Sequence, residues 1–319
     1  MFARFAAVLI GLLIAWPSAA QDWPARQVRM IVPFGPGSTP DIVARVVADQ
    51  LQKRLKQPFV VENKTGASGN TGTDAVAKAE ADGYTIGISI GGPLAINRFL
   101  FAKLPYDPSK DFAYVTLLAT QPNVCAVNAE LPVKSVPELI ALLKANPGKY
   151  NFGSIGNGSL SHLAVEAILQ ASGSQMVHIP YAASPQAMTA RIRGDVHMVC
   201  LPALAVVSQA SNPSIRVLAI TTAQRSDLVP GVPTLKEFGV DVECDAWNGV
   251  IAPAGTPPAI VDRLSKEIGD IVRMPDVKDK LITQAMEPIP STPAQFRARI
   301  EADIARWSPI IKAANIKVN

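Results

Sequence analysis

Histidine and cysteine are scarce in this chain, with three of each among 319 residues. Cys125, Cys200 and Cys244 are too few for a disulfide framework, and an odd count leaves at least one thiol unpaired. All three stand in apolar, strand-like stretches, which predicts buried, reduced thiols, with one disulfide as the alternative. His162, His178 and His197 share no metal-ligand spacing with cysteines or carboxylates, so no metal site is expected. Runs of basic residues are absent. The formal charge is +4, or +3 once Arg4 leaves with the leader described below, so nucleic acid is not an expected partner. Catalytic signatures are missing as well. No G-x-S-x-G elbow occurs, because Phe152 stands two places before Ser154. No Walker loop occurs, and Gly156-Asn157-Gly158 is followed by Ser161 where a dinucleotide fingerprint needs its third glycine. No carboxylate pairs with another for acid–base work. The chain therefore reads as non-enzymatic, with no cofactor. Beyond the first 20 residues no apolar run reaches bilayer-spanning length.

What is present begins with Arg4, an apolar run over 5–16 and the small residues Pro17-Ser18-Ala19-Ala20. This is the pattern of a secretory signal cut after Ala20, so residues 1–20 are expected to be removed and the mature chain exported. Strand and helix patterns then alternate. Strands are expected at 28–32, 59–62 and 85–89, and helices from Thr39-Pro40-Asp41 onward and over 71–79. Thr39 reads as N-cap, Pro40 as the first helical residue and Asp41 as a partner of the positive helix end. The pattern breaks at an apolar stretch, 115–127, which reads as a crossing between domains. It resumes with helices at 136–145, 161–171 and 185–193 and strands at 149–153, 177–180, 196–201 and 216–221. Residues 247–252 read as a second crossing, followed by helices near 257–272, 275–286 and 293–314. Such alternation predicts an α/β protein with parallel sheets covered by helices.

In parallel sheets the strand-to-helix loops leave at the carboxyl edge, where ligands bind. Here those loops are rich in glycine and small polar residues: 34–38 (FGPGS), 64–69 (KTGASG), 89–92 (SIGG) and 153–159 (GSIGNGS). Backbone N–H groups at helix starts hold anions without a cationic side chain. Asp41 is expected to serve its helix end or to brace the 34–38 loop, and Asn63 to brace the next one. Lys64, the one cation beside these loops, is expected to be solvated.

The stretches PFGPGSTPDIVAR, VVENKTGASGNTGTDAVAKAEADGYT, LPYDPSKDF, NFGSIGNGSLSHL, HIPYAAS and APAGTPPAIVDRL come in one order along the chain. In them the chain resembles the Bug proteins, periplasmic receptors of tripartite tricarboxylate transporters. The resemblance implies a two-lobed periplasmic binding fold, type II-like, with two crossing strands as hinge. Its lobes would be residues 21–120 with 248–319, and residues 121–247. It further implies a monomeric receptor that closes on a small organic carboxylate and presents it to membrane transporter subunits or a sensor protein. The carry-over places the first-lobe site at Phe34, Gly37, Ser38 and Asp41, at Gly66, Ala67 and Ser68, and near Ser89. The second-lobe site falls at Ser154, Gly156, Gly158 and Ser159, and near Tyr181 and Ala182. This chain has Gly37-Ser38 where the family often has Gly-Gly, Thr65 for proline, and Ala182-Ala183 for a basic residue and glycine. His197 stands where a carboxylate or amide is common. The alanines predict a more apolar pocket for the rest of the ligand. A signalling role, and more remotely a two-domain α/β hydrolase or transferase, are the alternative readings.

Overall fold

The computed structural model describes residues 23–181 and 183–318. The expected export signal and Ala182 lie outside the described residues.

The first sheet is built from β1 (Val28–Val32), β2 (Phe59–Asn63) and β3 (Thr85–Ile90), which pair in parallel. Between them run α1 (Thr39–Leu55) and α2 (Asn70–Ala77), and a π turn at Gly92–Ile96 leads into α3 (Asn97–Leu100). β4 (Phe112–Asn128) then runs for 17 residues. The second sheet follows with α4 (Val136–Ala145), β5 (Asn151–Ser154), α5 (Leu160–Ser172), β6 (Val177–Pro180), α6 (Ser184–Arg193), β7 (Met198–Pro202), α7 (Ala203–Val207) and β8 (Ile215–Ile220). The chain ends with β9 (Asp245–Pro253), α8 (Pro258–Val272), α9 (Pro275–Ile282), β10 (Glu287–Pro288) and α10 (Pro293–Ala313). Most expected elements therefore form where the pattern put them. The expected N-cap moves by one: Ser38 holds the extended cap conformation and Thr39 is already helical. The sequence reading missed the turn at 92–100, α7 and β10, which are too short for a periodic signal.

Strand order is β2-β1-β3-β9-β4-β7-β5-β6, with β8 and β10 also on β4. β5 pairs in parallel with both β6 and β7. β4 belongs to both sheets. Its residues 112–122 pair with β9, and 123–128 pair with β7 and β8. The core has a layer on each face. Val43, Val47 and Leu51 of α1, with Leu264 and Ile268 of α8, cover Met30, Val32, Ile86 and Ile88. The other layer runs on from Leu94 and Trp247 through Phe296 and Trp307 of α10 to Phe152 of β5 and Leu163 of α5. Ions tie α10 to the crossing strands: Arg299 reaches Asp245 at 2.5 Å and Asp303 at 3.1 Å, and the Trp247 indole donates to Asp303 at 2.6 Å.

The expectation of three reduced thiols is corrected. Cys125 and Cys200 are register partners on neighbouring antiparallel strands, with Cα atoms 4.1 Å apart, and they form a disulfide. Antiparallel pairing brings facing Cβ atoms together, and no spacing rule reveals that register across 75 residues. Cys244 is the free thiol among the described residues; it is buried, and burial pushes its pKa up.

Candidate functional site

Parallel pairing sends the loops after β1, β2 and β3 out by one edge. In the first, Asp41 is 2 % exposed and acts as a brace. Its carboxylate accepts the Gly37 N–H at 2.9 Å, the Asn63 amide at 2.8 Å and the Arg45 guanidinium at 3.0 Å. Burial alone would raise its pKa, but Arg45, the Gly37 amide and Asn63 outweigh burial and hold it below the usual carboxylate value. Asn63 also donates to the Phe34 carbonyl at 2.8 Å, so one amide fixes both ends of the loop. Gly37 adopts φ +79°, a conformation open to glycine, and its N–H is spent on Asp41 rather than offered outward. Ser38 Oγ caps nothing and is buried without a partner among the described residues.

The second loop carries an unusual backbone. Gly66, Ala67, Ser68 and Gly69 follow one another at φ +134°, +46°, +54° and +88°. Residues 66–68 are exposed. Left-handed Ala and Ser cost on the order of 1 kcal/mol or more each, strain that collects at ligand-gripping sites. Surrounding contacts hold it. The Gly66 carbonyl accepts the Gly69 N–H at 2.9 Å, and Asn97 of α3 donates to the Ser68 carbonyl at 3.2 Å and to Asn70 at 2.6 Å. Ser89 is fully buried and shares a 3.1 Å hydrogen bond with Thr73, so it braces from beneath.

The second sheet presents its own edge. Ser159 is the N-cap of α5, and its hydroxyl reaches the Gly156 carbonyl at 2.7 Å. The Ser161 hydroxyl takes the Ile155 N–H at 3.0 Å. Gly156 and Gly158 sit at φ +116° and +72°. Tyr181 donates its N–H to the Ser154 carbonyl at 2.9 Å, and its ring packs under Gly153. Ser154 is fully buried; its hydroxyl accepts the Gly156 N–H at 3.1 Å and meets His178 Nε2 at 2.6 Å. His178 in turn stacks on His162 at 3.7 Å and on Phe152 at 4.9 Å. Burial first, and His162 second, lower the His178 pKa to about 4. Sequence spacing gave no sign of this ring stack, which joins β5, β6 and α5.

The two edges meet through α3. Asn97 holds the Ser68 carbonyl, and one turn on, Leu100 packs so closely against Gly158 that a Cβ there would overlap its methyl group. The nearby cations are engaged: Arg45 by Asp41 at 2.9 Å, and Lys64 by Glu62 at 3.4 Å. Lys64 is thus paired, at a third of its surface exposed, rather than simply solvated. The arrangement can hold an anion on backbone groups between two edges. A serine beside a histidine suggests a nucleophile, but no substrate reaches a hydroxyl on a residue with 0 % exposure.

Comparison with known proteins shows the family to which this fold belongs. The family model described as "Tripartite tricarboxylate transporter family receptor" matches residues 43–316. Protein BugT of Bordetella pertussis is 36% identical over 307 residues, covering 96% of this chain and 94% of that protein. A solved structure of R. palustris Rpa4515 with adipate is 36% identical at a TM-score of 0.80, covering 93% of this chain and 99% of that one. MatC from Rhodopseudomonas palustris, with bound malate, is 28% identical at a TM-score of 0.76, covering 91% of this chain and 100% of that one. The match spans most of the described fold, from within α1 to beyond α10, and so takes in every strand but β1 and all but the first of the loop groups described above. This chain belongs to the tripartite tricarboxylate transporter family of receptors.

Proposed function

We propose that this protein is a periplasmic receptor that closes on a small dicarboxylate and delivers it to the membrane subunits of a tripartite tricarboxylate-type transporter. Residues 1–20 act as the export signal, cut near Ala20, and the receptor works as a monomer. Its lobes are residues 21–120 with 248–319, and residues 121–247, bending where β4 and β9 cross. One observation carries the reading: two glycine-rich loop edges converge through Leu100 and Gly158 while the neighbouring cations are already paired. The carboxylate lies against exposed backbone at Gly66–Ser68 and the head of α1, with Gly156–Ser159 closing from the other side. Hydrogen bonds to a charged group contribute about 1.5–3 kcal/mol each, so several amides replace an arginine. Ser38 Oγ and Asn248 Oδ1 support this placement. Both are buried without a partner among the described residues, and Asn248 pairs in register with Ile90, the last residue of β3. The relatives solved with adipate and malate direct the choice of probes. Isothermal titration with adipate, malate and the neutral diamide of adipate tests the reading. Saturable binding of a diacid and none of the diamide is expected. Diamide binding equal to that of the diacids sinks it.

A further inference from the structure

We infer that Asn248 is a specificity residue: its amide reads a hydroxyl on the carbon chain of the ligand, so that the receptor favours a 2-hydroxy dicarboxylate over the same diacid without the hydroxyl. The inference rests on the receptor reading above and narrows its ligand class.

Alternation along β9 settles which way Asn248 points. Trp247 and Ile251 belong to the layer of α10, and a Cβ on Gly249 would meet Phe296 there too; Val250 and Ala252 belong to the layer of α1. Strand side chains change face at each residue, so Asn248 shares the face of Val250, on the α1 side. Its register partners are Ile90, the last residue of β3, and Ala119 of β4. That is the carboxyl edge of the first sheet, where the 34–38 loop leads into the head of α1. The strand is held in place there. The Trp247 indole donates to Asp303 at 2.6 Å, and a Cβ on Gly91 would stand 3.5 Å from the same ring.

The amide is buried and idle. Asn248 is 2 % exposed, and its Oδ1 is enclosed with no donor among the described residues. Its Nδ2 donates to none of them either but is not enclosed, so the amide opens outward at that end. The other buried asparagines, Asn70, Asn97 and Asn123, each use at least one end. A buried polar group without a partner costs free energy, and a ligand that supplies the partner recovers it. An amide offers one donor and one acceptor, and turning it over only exchanges them. A carboxylate or keto oxygen accepts only and leaves Oδ1 unmet. A hydroxyl does both: it donates to Oδ1 and accepts from Nδ2. An ammonium also donates to Oδ1, but Asp41, the carboxylate of this edge, is already taken up by Gly37, Arg45 and Asn63. The face around Asn248, with Ile88, Ala119 and Val250, is apolar, and a cation there stays uncompensated. Ser38 Oγ, at the head of α1, lies on the same edge and serves the carboxylate, which sets the hydroxyl on the adjoining carbon. A diacid without the hydroxyl puts a methylene against Oδ1 and keeps water from it, which is how a site built for a hydroxyl rejects the analogue that lacks one.

The test is isothermal titration of the whole mature protein with two pairs of acids, malate with succinate and 2-hydroxyadipate with adipate. Each pair is equal in length and differs by one hydroxyl, and both enantiomers of each hydroxy acid are used. In the pair whose length fits, one enantiomer of the hydroxy acid is expected to bind at least about tenfold more tightly than its plain counterpart, the scale of one hydrogen bond lost at a buried group. Asn248→Leu keeps the bulk and removes both polar ends. The preference should then fall below about twofold, while the plain diacid binds as well as before or better. Asn248→Ala repeats the measurement with less bulk, and circular dichroism confirms each fold. A wild type that binds both members of a pair alike overturns the inference and leaves the receptor reading standing. So does a preference that survives in either folded variant. Loss of the plain diacid in both folded variants also overturns it, since Asn248 then serves the carboxylate instead. If no acid of either pair binds the wild type, the dicarboxylate reading itself fails and the inference falls with it.

Discussion

Replacing Asp41 by alanine tests whether the first loop is held by a buried carboxylate or by the chain's own turn preference. The Asp41 side chain is 3% exposed and accepts from Gly37, Asn63 and Arg45. Bonds to Gly37 and Asn63 lie in the interior of the loop, at about 1.5 kcal/mol each at the low end for a charged acceptor. Arg45 is about half exposed, so its ion pair adds at most about 0.5 kcal/mol. The expected loss is thus about 3 kcal/mol, or roughly 5 °C in melting temperature for a chain of this size. Asp41→Asn should lose about half as much, because its one oxygen serves Gly37 or Asn63 but not both. Urea unfolding followed by circular dichroism measures the stability, and titration with adipate measures the loop's readiness for ligand. The pH dependence has a definite sign. The folded carboxyl pKa lies below its unfolded value, so its stabilisation is complete above the unfolded value of about 3.9 and disappears as pH falls through the folded value. The gap between wild type and Asp41→Ala should therefore be constant from about pH 8 to 5 and close only below about pH 4. A loss under about 1 kcal/mol with unchanged affinity refutes the brace. So does a gap that fades between pH 8 and 5.

Gly158→Ala should lower the melting temperature and weaken adipate binding, since it strains a positive φ and overlaps Leu100; adding Leu100→Ala should relieve the overlap but not the strain, and no relief in the double variant would refute the contact. Lys64→Ala should change adipate affinity by less than about twofold, because an exposed pair such as Lys64–Glu62 contributes about 0–1 kcal/mol and the proposed grip is on backbone. Gly66→Val, by contrast, should mainly destabilise the fold, because its Cβ would stand 2.6 Å from Thr71 Oγ1, within the protein rather than in ligand space. Thiol counting in denaturant without reductant should give one thiol, Cys244. Reduction should cost roughly 4 kcal/mol for a link across 75 residues, and a count of three would refute the pairing.

The parts legible in the sequence were those with a local cause. The periodic run through Val43, Val47 and Leu51 and the alternation of strands named the layers, and Gly-rich loops at 34–38, 64–69 and 153–159 named the edge. The place of Asp41 suggests a partner of its helix end or a brace of the 34–38 loop, and it braces that loop; Asn63, expected to brace the following loop, instead holds the Phe34 carbonyl and Asp41. What stayed hidden depended on register or on distant packing. The Cys125–Cys200 pairing follows from how β4 and β7 align, which local pattern does not encode. The His162–His178 stack needs β5, β6 and α5 assembled. α3 has four residues, too few for a helical signal, yet it carries both Asn97 and Leu100. The left-handed Ala67 and Ser68 contradict residue preference, and tertiary contacts override it there.

The shared strand β4 also dictates how such a chain can be recombined with its relatives. Its pairing changes hands at one point: Pro122 still faces Asp245 of β9, while Asn123 faces Pro202 of β7. A graft of residues 123–244 therefore severs no ladder on either side. The disulfide travels inside the graft, and so does the amide contact of Asn123 to Cys244 at 3.0 Å. The tie from Thr120 to Asp245 stays with the host. What the graft must match is small: Arg306 against Glu243, Leu100 against Gly158, and the face of α10 that lies on α5. A strand that joins the two sheets thus doubles as a cassette boundary, at which one host can inherit the glycine-rich second edge of another.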